Sequence, residues 1–284
     1  MGKFFDALRK SEKLGVQPSA KPLPKRLVET RREEIDALKL ERKRLDPAVS
    51  NRHQFSDRMD PRLVCALEPD SPEAECFRIL RSKLILGSLG KPRNALMVTG
   101  ALPEDGKSIV AANLAVSIAR GVEDYVMLVD CDLRLPSLHQ IFGLQAKHGL
   151  REYLEDGTSI APYLLKTPVR KLTLLPAGEP IASPSELLGS EKMRQLIQDL
   201  KSRYQDRYII FDTPPSQFMA DTAPLSNMVD NVLVVVRSGK TPKDAILQTL
   251  ANIGREKIFG LVFNASDEFA RDRQYYYKRY QIGK

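Results

Sequence analysis

The sequence predicts an α/β fold, a doubly wound and mostly parallel sheet with helices on both faces, on three observations. Apolar runs of strand length alternate with helical stretches of ten or more residues, which aligns the strands in parallel and requires helices over both faces. Residues 95–114, ALMVTGALPEDGKSIVAANL, read as a buried strand, a tight loop and the start of a helix. Two later apolar runs end in aspartate, Asp130 and Asp212, at the carboxyl edge where such sheets bind ligands.

The chain has 284 residues, 42% of them hydrophobic, enough for one large domain plus an extension. No apolar run approaches the length of a membrane span, and the first residues lack the apolar stretch of a secretory signal. Cys65, Cys76 and Cys131 are odd in number and form no C-x-x-C pair, which suits a reducing cytoplasm and gives no metal site. Residues 1–60 hold 15 Lys/Arg against 10 Asp/Glu, so most of the net +8 charge sits in a basic N-terminal extension. Its basic residues are not interleaved with aromatic ones, so nucleic acid is not an expected partner; solvation or docking is.

Within that extension, helix-forming residues 29–46 carry only a thin apolar seam of Ile35, Leu38 and Leu45, and Pro47 ends the run. Ser71-Pro72-Glu73 then reads as an N-cap with proline at the first helical position, opening a helix to about Gly87. Phe77, Leu80 and Leu84 share its apolar face, whereas Glu75 and Arg78 lie away from it and Arg81 at its edge. These three are free, on this reading, to form an ion pair in solvent or to meet a neighbouring protein.

The loop after the first strand is a variant of G-x-x-x-x-G-K-[ST], with Ala101 in the first glycine's place. Its nucleotide-binding candidates are Ala101, Leu102, Pro103, Glu104, Asp105, Gly106, Lys107, Ser108 and Ile109. Successive backbone N–H groups and a helix N-terminus would hold a triphosphate there, with Lys107 reaching the β and γ phosphates and Ser108 ligating Mg²⁺. An Ala-rich helix follows to Arg120, closed by Gly121, and Tyr125–Asp130 is the next strand. Asp130 and Asp132, two residues apart at that strand's end, can both approach the phosphates.

Short helices broken by Gly143, Gly149 and Gly157 precede a strand at Leu172–Leu175, and a helix should run from Pro184 to about Tyr204. Residues 208–212, YIIFD, form an apolar strand whose Asp212 would hold Mg²⁺ directly or through water. A central strand over 230–237, a helix over 242–254 and a last strand over 257–264 complete the set. The tail, RDRQYYYKRYQIGK, places Tyr275, Tyr276, Tyr277 and Tyr280 on a basic terminus without the alternation of a buried strand. Four phenols on such a terminus read as substrate.

Taken together, Ala101–Ser108, Asp130-x-Asp132-x-Arg134, Asp212, Glu75-x-x-Arg78-x-x-Arg81 and the terminal tyrosines resemble the bacterial tyrosine kinases of capsule and exopolysaccharide biosynthesis. The likeness runs from about Asp60 to the C-terminus, and the detached format with a basic extension is most similar to the exosortase-associated autokinases. It implies a P-loop fold like that of the partitioning ATPases, with an extension over 1–60, a kinase domain over 61–268 and a tyrosine tail over 269–284. It implies ATP and Mg²⁺ as cofactors, and transfer of the γ-phosphate to tail tyrosines of a neighbouring subunit. Glu75, Arg78 and Arg81 would build a ring of subunits. A membrane chain-length regulator would recruit the otherwise cytoplasmic chain to the inner face of the plasma membrane, and phosphorylation would control polymer length or export. Asp130 becomes the expected base, Asp132 and Asp212 the metal-side carboxylates, Lys107 a catalytic cation, and Asn264 an adenine contact. Where that family commonly has P-G-E-G-K, Glu104 replaces a glycine, which restricts the backbone and adds charge near phosphate.

Two other readings fit the loop. A partner-switched ATPase of the partitioning and cell-division type would hydrolyse ATP to water, but its signature lysine, five residues before Lys107, is Leu102 here. A non-catalytic scaffold of a polysaccharide complex would follow if Glu104 disabled the loop.

Overall fold

The structure, a computed structural model, describes residues 58–87, 95–156, 159–203, 207–216 and 222–266. The helix expected over 29–46, nearly all of the extension and the four tail tyrosines lie outside the described residues. Among the described residues seven strands form one sheet in the order β3-β4-β2-β5-β1-β6-β7. They are β1 (Ala95–Gly100), β2 (Tyr125–Asp130), β3 (Leu165–Lys166), β4 (Leu172–Leu175), β5 (Arg207–Asp212), β6 (Asn231–Arg237) and β7 (Ile258–Asn264). Every pairing is parallel except β3 with β4.

Side chains alternate across the sheet, so each strand feeds two cores. Leu96, Val98, Val126, Leu128, Ile210, Leu233 and Val235 face α1 (Val64–Leu67), α2 (Pro72–Gly87), α3 (Lys107–Ala119) and α4 (Leu138–Ile141). Ala95, Met97, Met127, Val129, Ile209, Phe211 and Val234 face the opposite layer. That layer is α5 (Leu150–Asp156), α6 (Ser185–Leu188), α7 (Glu191–Arg203), α8 (Thr222–Met228) and α9 (Lys243–Ile253).

Helix α3 is the one the site depends on. Ala111, Ala112, Ala115 and Ala119 are all buried and let it lie close to the sheet, while Leu114 and Ile118 fill the core beneath. Truncating a side chain such as Leu114 to alanine costs about 2–5 kcal/mol in a packed core. At the far end of α3, Arg81 Nη1 donates to the Ser117 carbonyl at 2.8 Å, and Lys171 Nζ donates to the carbonyls of Gly121 and Val122. A cation therefore meets a carbonyl of the helix's last turn and another the carbonyls just beyond its end, in the favourable sense for its dipole. No side chain caps the N-terminus of α3, which begins after Gly106.

Several expectations are refined. The Ser71 cap forms, its hydroxyl accepting from Ala74 N at 3.2 Å. The single helix expected from Pro184 to Tyr204 is two helices, because Gly189 closes α6 and Ser190 Oγ accepts from Met193 N to start α7. Arg78 pairs with Glu75 across one turn and Arg81 ties α2 to α3, so these residues have partners within the chain rather than being free. The short elements α1, α8 and β3 give too little periodicity to be read from sequence.

Candidate functional site

Parallel register assembles the site. Asp130 at the end of β2 lies directly beside Asp212 at the end of β5, and Val98 of β1 flanks Asp212 on the other side. The loop after β1 therefore opens next to two carboxylates contributed by different strands. The strand ends, not any sequence proximity, bring Lys107, Ser108, Asp130, Asp132 and Asp212 together.

Asp130 is fully buried and surrounded by backbone N–H groups of the segment that follows it. Its Oδ1 accepts from Asp132 N at 3.1 Å, and its Oδ2 from Ser137 N at 3.2 Å and Leu138 N at 3.1 Å. Burial pushes its carboxyl up to about 7; the Leu138 amide holds it down, and the neighbouring Asp132 charge pushes it up again. Asp132 is 9% exposed and its Oδ1 accepts from Leu135 N. It is thus the more accessible of the two, whereas reaching Asp130 requires residues 132–138 to shift.

Asp212 is more unusual. It is fully buried, and neither of its carboxylate oxygens closes a hydrogen bond of ordinary geometry. Burial first, and the Asp130 charge second, raise its carboxyl well above the usual range, while the nearby Ser108 hydroxyl and Lys107 ammonium pull it down. Three carboxylates and one largely buried lysine leave an excess of negative charge in a low-dielectric pocket. A divalent cation bound there would offset that charge. Among the described residues no cluster of three or more His, Cys, Asp or Glu could hold a metal by protein ligands alone. A Mg²⁺ ion would not need such a cluster, because it keeps waters and shares the oxygens of phosphates.

The loop itself is held in a strained shape. Glu104 has φ 63° and Gly106 φ 90°, so the non-glycine Glu104 occupies a left-handed conformation that favours glycine. A side chain at Gly106 is excluded twice, by that φ and by Asn264 Nδ2, which would lie 2.0 Å from its Cβ. Asn264 Nδ2 instead donates to the Asp105 carbonyl at 2.9 Å. Ala101, in the first glycine's place, is fully buried.

A cleft of about 500 Å³ opens against Gly106–Ile109. Arg58–Arg62 form one wall and Ser137, Gln140 and Ile141 another. The first wall was not legible from sequence, where it reads as the end of a polar linker. In the structure Asp60 N donates to the Ile141 carbonyl at 3.0 Å and Met59 packs on the core, so the folded part reaches back across the expected boundary at 61. Glu75, Arg78 and Arg81 sit on α2 and take no part in this site. Also unforeseen were Arg237 and Thr241, which follow β6 and bond the loop.

Comparison with known proteins agrees with this geometry. The AAA domain family matches residues 105–257. The tyrosine-protein kinase YwqD of Bacillus subtilis is 32% identical over 215 residues, covering 75% of this chain and 90% of that protein. The putative tyrosine-protein kinase EpsB of Ralstonia solanacearum is 36% identical over 72% of this chain, which spans only 27% of that longer relative. Among solved structures, the kinase domain of the Escherichia coli tyrosine kinase ETK is similar with a TM-score of 0.67 at 28% identity, covering 74% of this chain and 83% of that one. A P-loop bordered by strand-end carboxylates, in a chain covering nine-tenths of a tyrosine kinase at this identity, places the protein in the bacterial tyrosine-protein kinase family.

Proposed function

We propose that this kinase phosphorylates its own C-terminal tyrosines in trans and that the phosphorylation state governs exopolysaccharide polymerisation or export. The observation that carries the reading is the fully buried Asp212, with no hydrogen bond of ordinary geometry, beside Asp130, Asp132, Lys107 and Ser108 at the mouth of a P-loop. Tyr275, Tyr276, Tyr277 and Tyr280 are the acceptors, carried on a basic terminus. A tyrosine phenol has a pKa near 10, so at neutral pH it keeps its proton until a base takes it. Its oxygen bonds to the γ-phosphorus of ATP as the bond to the β-phosphate oxygen breaks, and its proton passes to a carboxylate. Asp130 is that base: burial makes its carboxylate a stronger proton acceptor than an exposed one. Ser108, Asp132 and Asp212 would hold Mg²⁺, which supplies neutralisation of charge on the phosphoryl oxygens. Lys107 adds a fixed cation to the same oxygens. The adenine lies toward Asn264, whose Oδ1 is directed to it while Nδ2 keeps the loop.

Subunits associate into a ring through Glu75, Arg78 and Arg81. In that contact the Glu75–Arg78 pair opens toward the neighbour, and Arg81 couples α2 to the helix that carries Lys107. A membrane chain-length regulator recruits the chain to the inner face of the plasma membrane. Among the described residues no helix is long and apolar enough to cross a membrane. The basic extension of residues 1–60 supports placing the chain with the exosortase-associated autokinases. Each phosphate adds about −1.5 to −2 charges, so several on one basic tail reverse its sign and loosen the ring.

The test is intact-mass spectrometry after incubation with Mg²⁺-ATP. Wild type should gain successive phosphates mapped to the tail, and Lys107→Met alone should gain none. Mixed with wild type, Lys107→Met should acquire tail phosphate; if it stays unmodified, transfer is within one chain and the trans reading fails. Light scattering of the phosphorylated and unphosphorylated forms tests the ring, which is overturned by equal masses.

A further inference from the structure

The phosphate loop carries a buried acid of its own. Asp105 is 2% exposed, although it sits where bound phosphates would bring more negative charge. A buried carboxylate is tolerated only when its oxygens are well supplied with donors. Oδ2 accepts from Leu102 N at 2.8 Å, which closes the loop on itself. Oδ1 accepts from the Thr241 hydroxyl at 2.7 Å, a group 136 residues away in sequence.

The direction of that second bond is fixed. Thr241 Oγ1 also accepts from Arg237 N at 2.8 Å, so its one proton is directed to Asp105. Thr241 N in turn donates to the Arg237 carbonyl, making the turn after β6 a rigid mount. Two more bonds reach the loop from the same side, Arg237 Nη1 to the Glu104 carbonyl at 3.0 Å and Asn264 Nδ2 to the Asp105 carbonyl. Close packing completes the arrangement: a Cβ at Gly100 would lie 2.9 Å from Asp105 Oδ2.

We infer that Thr241 is a positioning residue for the nucleotide. It acts through Asp105, whose two oxygens join the start of the loop to the turn after β6, so that the backbone of residues 101–106 keeps its shape before nucleotide arrives. A loop with a strained Glu104 does not hold that shape unaided, since a left-handed non-glycine residue persists only where its surroundings enforce it. Thr241 thereby lowers the ordering cost of binding and leaves the chemical step untouched.

The inference rests on the loop being a nucleotide site, and its test reads nucleotide affinity directly. Equilibrium binding of a fluorescent Mg²⁺-ADP analogue is measured on the full chain, well below its melting temperature. Thr241→Val, which keeps the shape and removes the donor, should weaken binding by about tenfold, the scale of a hydrogen bond to a charged group. Thr241→Ser should restore affinity to within about twofold of wild type. In an Asp105→Asn background Thr241→Val should add little further loss, because the pair acts as a unit. Steady-state kinetics should show KM for ATP rising in Thr241→Val with kcat at saturating ATP retained. Unchanged affinity in Thr241→Val, or a serine variant as weak as the valine, overturns the inference. Nucleotide binding without phosphotyrosine in the wild type would overturn the kinase reading instead, and leaves this comparison intact.

Discussion

The phosphate loop is met from two sides, and the two are built on opposite principles. On the β2–β5 side, Asp130, Asp132 and Asp212 crowd three carboxyl groups into a buried space, and neither oxygen of Asp212 closes a hydrogen bond of ordinary geometry. On the β6–β7 side, Arg237, Thr241 and Asn264 give the loop a set of neutral and cationic donors, every one engaged. The first side holds a deficit that a cation and a phosphoryl group can fill; the second holds the shape in which they arrive. Catalytic power and ground-state stability should therefore separate along this line.

The largest effect is expected at Asp212. Asp212→Asn removes the buried charge and keeps the volume, so phosphotransfer should fall by at least about 10³-fold, as when a group stabilising transferred charge is lost. The same change should raise the melting temperature of the ligand-free protein, because it relieves an uncompensated carboxylate. Calorimetry beside a phosphotyrosine assay checks both; a variant that is inactive and also less stable would mean that Asp212 is a structural residue.

Asp130 sharpens the same contrast through pH. Its folded-state carboxyl is raised above the unfolded value, so the folded protein binds that proton more tightly and the stability this confers is lost as pH rises toward and through about 7. For one such group the loss between pH 6 and pH 8 is about 1 kcal/mol. With EDTA present and no nucleotide, the melting temperature should fall over that interval, and Asp130→Asn should flatten the slope. A slope identical in the variant would assign the effect to other groups.

The two sides also differ in how far the sequence reveals them. Asp130 and Asp212 were legible because each ends an apolar strand, where topology dictates position, Asp132 because it follows two residues later, and Lys107 and Ser108 because the loop motif fixes their spacing. What hid the other side is that Thr241 and Arg237 lie 136 and 133 residues from the loop residues they hold, a pairing that no local pattern encodes. Asn264 was expected at adenine only from the family resemblance, and its bond to the Asp105 carbonyl depends on how β7 ends. On α2, helical spacing gave the faces correctly, and yet Arg81 at the edge of the apolar face reaches the Ser117 carbonyl of α3. A long side chain crosses the boundary that a helical projection draws.

A smaller effect is expected at Arg237. Its guanidinium is about one-third exposed, and its contact with the Glu104 carboxylate, at 3.8 Å from a side chain that is 85% exposed, contributes little. What remains is the bond to the Glu104 carbonyl. Arg237→Ala should weaken nucleotide binding by about two- to fivefold, less than the loss at Thr241. If the two losses were reversed in size, the carbonyl bond and not the Asp105 bridge would be the main support of the loop.

The smallest effect, and the one with the least obvious sign, belongs to Glu104, where the two sides meet. Its φ of 63° costs about 1–2 kcal/mol in a non-glycine residue, and Glu104→Gly would remove that strain. Glycine also gives the unfolded chain and the unliganded loop more freedom, which offsets part of the gain. For stability the two terms nearly cancel, leaving a change of under about 1 kcal/mol. For nucleotide they do not cancel, because the substitution also removes a negative charge beside the phosphates. Affinity for Mg²⁺-ADP should rise by about two- to fivefold in Glu104→Gly, with a larger gain at low salt than at high salt. A gain independent of salt would trace the effect to backbone strain, and a loss would mean that the left-handed glutamate helps to hold the loop open for phosphate.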